Sequence, residues 1–212
     1  VETTLSVFDA DPVNYDSDGE VIYSMHYGNN LISYSFQTAQ ELGDALGDAA
    51  GDIYAIAGEG VAALYSNVAE GWVGSLTTFE SGRGYWLVAT DDFSFSFNST
   101  TADGNGIARA EQSVLPVPEV YSFAQSNQQA FYFVNSATIK GEPLETNDLI
   151  IAYNGEQVVG SRYWNGELTD IPALGLETDR TGSLSRKDSK YTAYCAPGDI
   201  VSFKVWDESE QK

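Results

Sequence analysis

The chain has 212 residues, long enough for one large domain or two smaller ones, and its 42% hydrophobic and 13% aromatic content excludes a disordered polymer. No apolar run approaches the roughly 18 residues of a membrane helix, so no membrane insertion is expected. With 31 acidic against 10 basic residues and a net charge of −21, repulsion disfavours any nucleic-acid backbone or anionic membrane as partner.

Two readings of this charge stay open: solubility in a salty medium that screens self-repulsion, and collection of a divalent cation by some of the carboxylates. The chain opens on Val1 with neither a basic n-region nor an apolar h-region. The expectation is of a processed product or an excised fragment.

In chain order, Thr4–Phe8 reads as a short strand, followed by an acidic stretch from Asp9 to Glu20. Within it Asn14, Asp16, Asp18 and Gly19 match the first half of a calcium loop, with oxygen ligands at alternate positions and a glycine for the turn. Met25 stands where the bidentate Glu of a complete EF-hand belongs, which excludes that motif. A partial Ca2+ site on Asn14, Asp16 and Asp18, finished by Glu20, Asp9 or Asp11, and an ordinary acidic turn both remain. No other cofactor is expected.

The run Ile22–Tyr27 is strand-like and carries the only histidine, His26, read as a surface strand residue rather than a base. Leu31–Phe36 is the next strand. A helix is then expected over 38–51, with Thr38 as N-cap, Glu41 at N3 in a capping box and Gly51 as the stop. Leu42, Ala45, Leu46 and Ala49 form its apolar stripe, and Asp44, Asp48 and Asp52 a solvated side. Gly43 and Gly47 weaken this helix and suit the close approach of a strand.

Strands at 52–60 and 61–65 lead into the organising stretch, Gly71 to Phe97. There Trp72–Leu76 and Tyr85–Val88 read as strands joined by a turn at Glu80–Gly84, and Phe93, Phe95 and Phe97 alternate with polar residues. The pattern predicts an aromatic β-meander. A polar, glycine- and proline-containing break near 100–118 marks a boundary, giving domains 1–110 and 111–212.

The second half shows strand runs at Ala130–Val134, Leu149–Tyr153, Gln157–Ser161 and Ile200–Trp206. Turns are expected at Lys140–Pro143, Asn154-Gly155 and Pro197–Asp199, the Asn-Gly pair being the clearest hairpin signal. Residues 177–190 read as a long exposed loop, the one locally basic stretch. The predicted fold is mainly β: an N-terminal α+β unit with one helix on an antiparallel sheet, then a C-terminal β-sandwich of jelly-roll or immunoglobulin-like form.

One His and one Cys exclude a multi-ligand zinc site of those residues within the chain and leave a Ser-His-Asp triad a single candidate base. Cys195, between Tyr194 and Ala196, reads as a small buried residue. No enzymatic activity is expected. A hydrolase built on a carboxylate pair is the weakest reading, since such a pair needs a concave site to separate its pKa values.

Two segments carry a resemblance. The first contains Asn30–Phe36, Leu46-Gly47-Asp48, Gly58-Glu59-Gly60, Gly71–Leu76 and Gly84–Leu87; the second contains Gln128–Phe133, Asn147–Gly155, Val159–Trp164, Asp170–Gly175 and Gly198–Asp207. Covering roughly 30–98 and 127–209, they resemble modules of structural and appendage proteins of marine bacteriophages of the cyanophage kind, and of marine bacterial surface proteins. The cysteine that such second modules often carry near the position of Val158 is absent here.

The resemblance implies a non-enzymatic virion structural protein: a capsid-decorating, tail or fibre subunit acting in assembly or host attachment. Its partners would be other virion or surface structural proteins and further copies of itself in a homo-oligomer, with Thr4–Phe8 and Ile200–Trp206 as contact strands. The alternative is a secreted or cell-surface bacterial adhesion module for carbohydrate or peptide. There Tyr163, Trp164 and Trp72 would stack on a cell-surface glycan, Tyr163-Trp164 being the exposed pair, while Trp86 and Trp206 belong to the core. Localisation follows: virion in the first reading, extracellular or cell surface in the second.

Millimolar calcium should raise the melting temperature if the acidic loop is a site, because a ligand of the native state stabilises it by mass action. An unmoved midpoint would leave an acidic turn.

Overall fold

The computed structural model describes residues 21–36, 38–98, 116–177 and 194–210. The Thr4–Phe8 strand, the Asn14/Asp16/Asp18 loop, most of the break at 100–118 and most of the basic stretch at 177–190 lie outside the described residues. Among the described residues the fold is mainly β, built of several antiparallel sheets with one short α-helix.

In the N-terminal half the strands are β1 (Tyr23–Met25), β2 (Gly28–Ser33), β3 (Gln40–Glu41), β4 (Ile53–Ala57), β5 (Ala62–Ser66), β6 (Gly71–Gly74), β7 (Thr78–Phe79), β8 (Gly84–Ala89) and β9 (Phe93–Phe95). They form a five-stranded sheet in the order β2-β8-β4-β5-β6, and two small pairs, β1-β9 and β3-β7. The expected meander over Gly71–Phe97 is therefore corrected. Its strands are distributed over three sheets, and the hairpin succession is β4-β5-β6 instead. β8 leaves β6 and inserts between β2 and β4, where Leu87 faces Asn30 on one side and Ile56 on the other.

The period-2 alternation itself holds. Tyr85, Leu87 and Ala89 are buried while Trp86 is exposed; Phe95 and Phe97 are buried while Ser94 and Asn98 are exposed. Trp86 thus points outward at 47% exposure, not into the core. Trp206 is half-buried.

The helix is shorter than its pattern. α1 spans Leu42–Leu46 and a 3-10 turn follows over Gly47–Asp52. Thr38 does not cap it: Glu41 occupies the N-cap position without a side-chain bond, and Gln40–Glu41 pair with Thr78–Phe79 as strand. Tertiary contacts outweigh the local signal here. The Tyr34 hydroxyl lies 2.6 Å from Gln40 Oε1 and 2.9 Å from the Thr38 carbonyl, and the Leu42 N–H donates to Thr77 O at 3.0 Å.

Leu42, Ala45 and Leu46 are buried, as the stripe requires, and Asp44, Asp48 and Asp52 are exposed. Gly47, at φ +52°, makes room for the Asn98 side chain, whose Nδ2 donates to Asp44 O at 2.7 Å. Gly43 faces open space, so only one of the two glycines serves a close approach.

The C-terminal half contains β10 (Gln129–Val134), β11 (Thr138–Ile139), β12 (Glu142–Pro143), β13 (Leu149–Asn154), β14 (Gln157–Tyr163), β15 (Thr169–Leu174) and β16 (Ser202–Trp206). Their sheets are β10-β15, β11-β12 and β14-β13-β16. The β13–β14 hairpin falls where Asn154-Gly155 predicts it. Asn154 and Gln157 pair across Gly155 at φ +60° and Glu156, the placement of a glycine first in a two-residue loop.

The unbroken apolar run of β13 reflects cover on both faces. Ile150 and Ala152 share a core with Val159 and with Ile171 and Ala173 of β15, whereas Leu149 and Ile151 pack with Val158 under Val117, Tyr121 and Phe123. β15 is buried at every position and is not among the strands expected from the sequence. It crosses β14 so closely that a Cβ on Gly160 would overlap the Pro172 carbonyl oxygen.

Two glycine substitutions should therefore separate. Gly160→Ala should cost about 1–3 kcal/mol through overpacking, and Gly43→Ala should gain about 1 kcal/mol from helix propensity. Denaturant midpoints of the two variants against the parent measure both.

Candidate functional site

Among the sequence-selected residues, Trp72 lies on β6 and packs against the N-terminal core, with its ring edge-on to Tyr65 at 5.3 Å. Its Nε1 is buried without a hydrogen-bond partner. Tyr163 ends β14; its hydroxyl donates to Pro116 O at 3.2 Å, and burial first, then the Glu208 carboxylate, pushes its phenol up. Trp164 follows, packed on the cluster of Ile150 and Ile171, with its N–H donating to Asp148 O at 2.8 Å.

The Tyr163-Trp164 pair is accordingly not the exposed one. Both rings are half-buried, and because the residues are consecutive on an extended chain they serve two different clusters. Asn14, Asp16 and Asp18 lie outside the described residues. Among the described residues no group of three or more His, Cys, Asp or Glu is placed to hold a metal ion.

The exposed aromatic surface is elsewhere. On the outer face of the five-stranded sheet, Trp86 pairs directly with Leu31, 62% exposed, on one side and with Ala57 on the other. Ala57 offers no bulk beyond its Cβ. Tyr54, exposed on β4, adds a second ring to this half of the molecule. The signal for Trp86 is present in the alternation of Gly84–Ala89, but alternation defines two faces without saying which of them is wet.

A second concentration of chemistry joins the two halves. Asp170 on β15 is 1% exposed, yet it carries a carboxylate. Its Oδ1 accepts the Ser75 N–H at 2.7 Å, and its Oδ2 accepts the Ser75 hydroxyl at 2.7 Å and Arg162 Nη2 at 3.1 Å. Arg162 also donates from Nη2 to Gly60 O at 2.6 Å and from Nε to the Asp170 carbonyl at 3.1 Å. Alongside, the Gln129 amide brackets the same turn, donating to Gly58 O at 2.6 Å and accepting the Gly60 N–H at 3.1 Å. Burial outweighs Arg162 and the Ser75 donors and holds the Asp170 carboxyl above its ordinary value of 3.8.

His26 is exposed between β1 and β2, with Nδ1 2.8 Å from Tyr27 O. Asp148, the other buried carboxylate among the described residues, accepts the Glu145 N–H at 2.8 Å and the Glu208 N–H at 3.3 Å, which ties a turn to the chain after β16.

No family model, curated protein or solved structure matches this chain.

Cys195 is half-buried beside Gly175, and burial, then Asp199, pushes its thiol up. Because the thiolate is the reactive form, alkylation at pH 7.5 should be slower in the native protein than in the urea-unfolded chain. Equal rates would show the thiol to be unprotected.

Proposed function

We propose that this protein is a non-enzymatic structural subunit that presents surfaces for assembly or attachment, and that it belongs to a marine phage particle as a capsid-decorating, tail or fibre component. The observation that carries the assembly reading is β16. Among the described strands it forms one edge of its three-stranded sheet, with Ile200 87% exposed just before it and Phe203 exposed upon it. An edge with apolar side chains is a template for a neighbour's strand, a second copy or another structural protein. The Phe203 ring meets Tyr132 edge-on at 5.2 Å, so the apolar strip continues onto β10. The placement in a phage particle rests on the resemblance of the two modules.

The finer architecture belongs to the same proposal: an α+β unit within 1–110 and a β-sandwich of jelly-roll or immunoglobulin-like form within 111–212. In its favour, one core cluster draws only on residues between Tyr23 and Phe97, and two others only on residues between Val117 and Trp206. The sheets β10-β15 and β14-β13-β16 share one of these.

Trp86 favours a second reading, a secreted or cell-surface module that stacks a neutral glycan on its exposed ring. In that reading Trp86 takes the role given to Trp72, Tyr163 and Trp164 from the sequence.

An Ile200→Glu/Phe203→Glu variant should keep its fold, since both side chains are exposed, but lose self-association in sedimentation and lose incorporation into purified particles. Assembly equal to the parent would sink the edge-strand contact. Glycan-array binding abolished by Trp86→Ala, with the parent recovered only from virion-free supernatant, would transfer the assignment to the second reading.

A further inference from the structure

The seam between the two halves is held by polar groups. Its central carboxylate, Asp170, comes from the C-terminal half, and the two shortest hydrogen bonds it accepts come from Ser75 in the N-terminal half. Arg162, from the same half as Asp170, reaches across to the Gly60 carbonyl. Separating the halves would break all three contacts and return the carboxylate to water.

We propose that the Asp170–Ser75–Arg162 cluster is a pH-sensitive latch that holds the two halves together more firmly as the medium turns acidic. In the closed seam the carboxylate is dry and has one guanidinium partner, a side chain itself one-quarter exposed. Desolvation penalises the charged form, so the closed state binds a proton more tightly than an open state in which Asp170 is hydrated. Protons therefore favour closure. The contribution is fully present below the ordinary carboxyl value of 3.8 and is lost as pH rises through the higher closed-state value.

Protonation exchanges one hydrogen bond and keeps most of the others, the Ser75 hydroxyl proton giving up Oδ2. The Ser75 hydroxyl already receives the Ala62 N–H at 3.4 Å and can take the acid's proton in place of donating its own. The Ser75 N–H still has Oδ1, and Arg162 keeps the carbonyls of Gly60 and Asp170. Among the described residues of the neighbouring elements, β14 contributes Arg162 as the charged group facing the carboxyl. β10 carries Tyr132, which is exposed, and β13 carries Tyr153, packed on the opposite side of its sheet. Glu59, in the turn that supplies Gly58 and Gly60, is exposed and paired with Arg83 at 3.3 Å.

The test follows the Asp170 side-chain carboxyl resonance and the exchange protection of the Ser75 amide from pH 4 to 8, with the Leu87 amide of β8 as the reference for global opening. Asp170 should titrate above 3.8. Ser75 protection, relative to Leu87, should fall with rising pH by about tenfold per pH unit between the open and closed values. Asp170→Asn should flatten that dependence. Should this variant fail to fold, the parent alone decides: a titration at or below the ordinary value, or Ser75 protection that is level or rises with pH, overturns the latch.

Discussion

Phe79 is the side chain on which the N-terminal half converges. Fully buried on a two-residue strand, it stacks on Tyr34 at 5.6 Å and meets Tyr85 edge-on at 4.9 Å and Phe97 at 5.0 Å. Those partners sit after β2, on β8 and after β9, so one ring ties together three separately hydrogen-bonded sheets. Each such pair is worth about 0.5–1.5 kcal/mol beyond the area it buries. Tyr rings can stand in this cluster because their hydroxyls reach its rim. Tyr85 accepts the Glu80 N–H at 2.8 Å, and Tyr34 finds Gln40 and Thr38. Burial, then Tyr85, pushes the Tyr34 phenol up to about 12, so it stays a neutral donor.

This ring cluster explains how much of the fold is legible in the sequence. Strand positions are readable, because alternation is a property of the strand itself: Phe93 to Phe95, Tyr85 to Val88 and the hairpin at Asn154-Gly155 all lie where their patterns put them. Strand partners are not readable, because periodicity does not say which edge a strand joins. The meander fails at that step, as β8 is placed by Tyr85 packing on Phe79 and not by proximity to β6. The helix fails differently. Thr38 and Glu41 satisfy a local capping rule, but Gln40 and Glu41 gain more from β7 and from Tyr34 than from continuing a helix weakened by two glycines.

The same distinction separates the sites. Trp72 and Trp86 are both tryptophans in short β segments, and only the packed structure decides that the first faces the core and the second faces water. β15 escapes notice because Asp170 and Pro172 argue against a strand. Both are accommodated by position: the strand is hydrogen-bonded on one side only, which leaves room for a residue without an N–H, and the carboxylate meets donors that lie 95 residues away in the chain. A contact of that separation leaves no local trace.

A buried ion pair is a poor way to gain stability, since well-packed apolar residues in its place are often neutral or better. Its worth at this seam lies in direction. Methyl groups facing methyl groups would let one half slide over the other at little cost, whereas Asp170 accepts at fixed angles from the Ser75 N–H and hydroxyl, and Arg162 donates across to Gly60 O. Gln129 adds a two-point grip on the Gly58–Gly60 turn. Gly60, at φ +71°, takes a backbone conformation that side-chain-bearing residues rarely adopt, and Gln125 fills the space where its Cβ would stand. The seam thus reads backbone shape on one half with side chains from the other. That is the arrangement that fixes one orientation in a chain whose net charge of −21 otherwise pushes its parts apart.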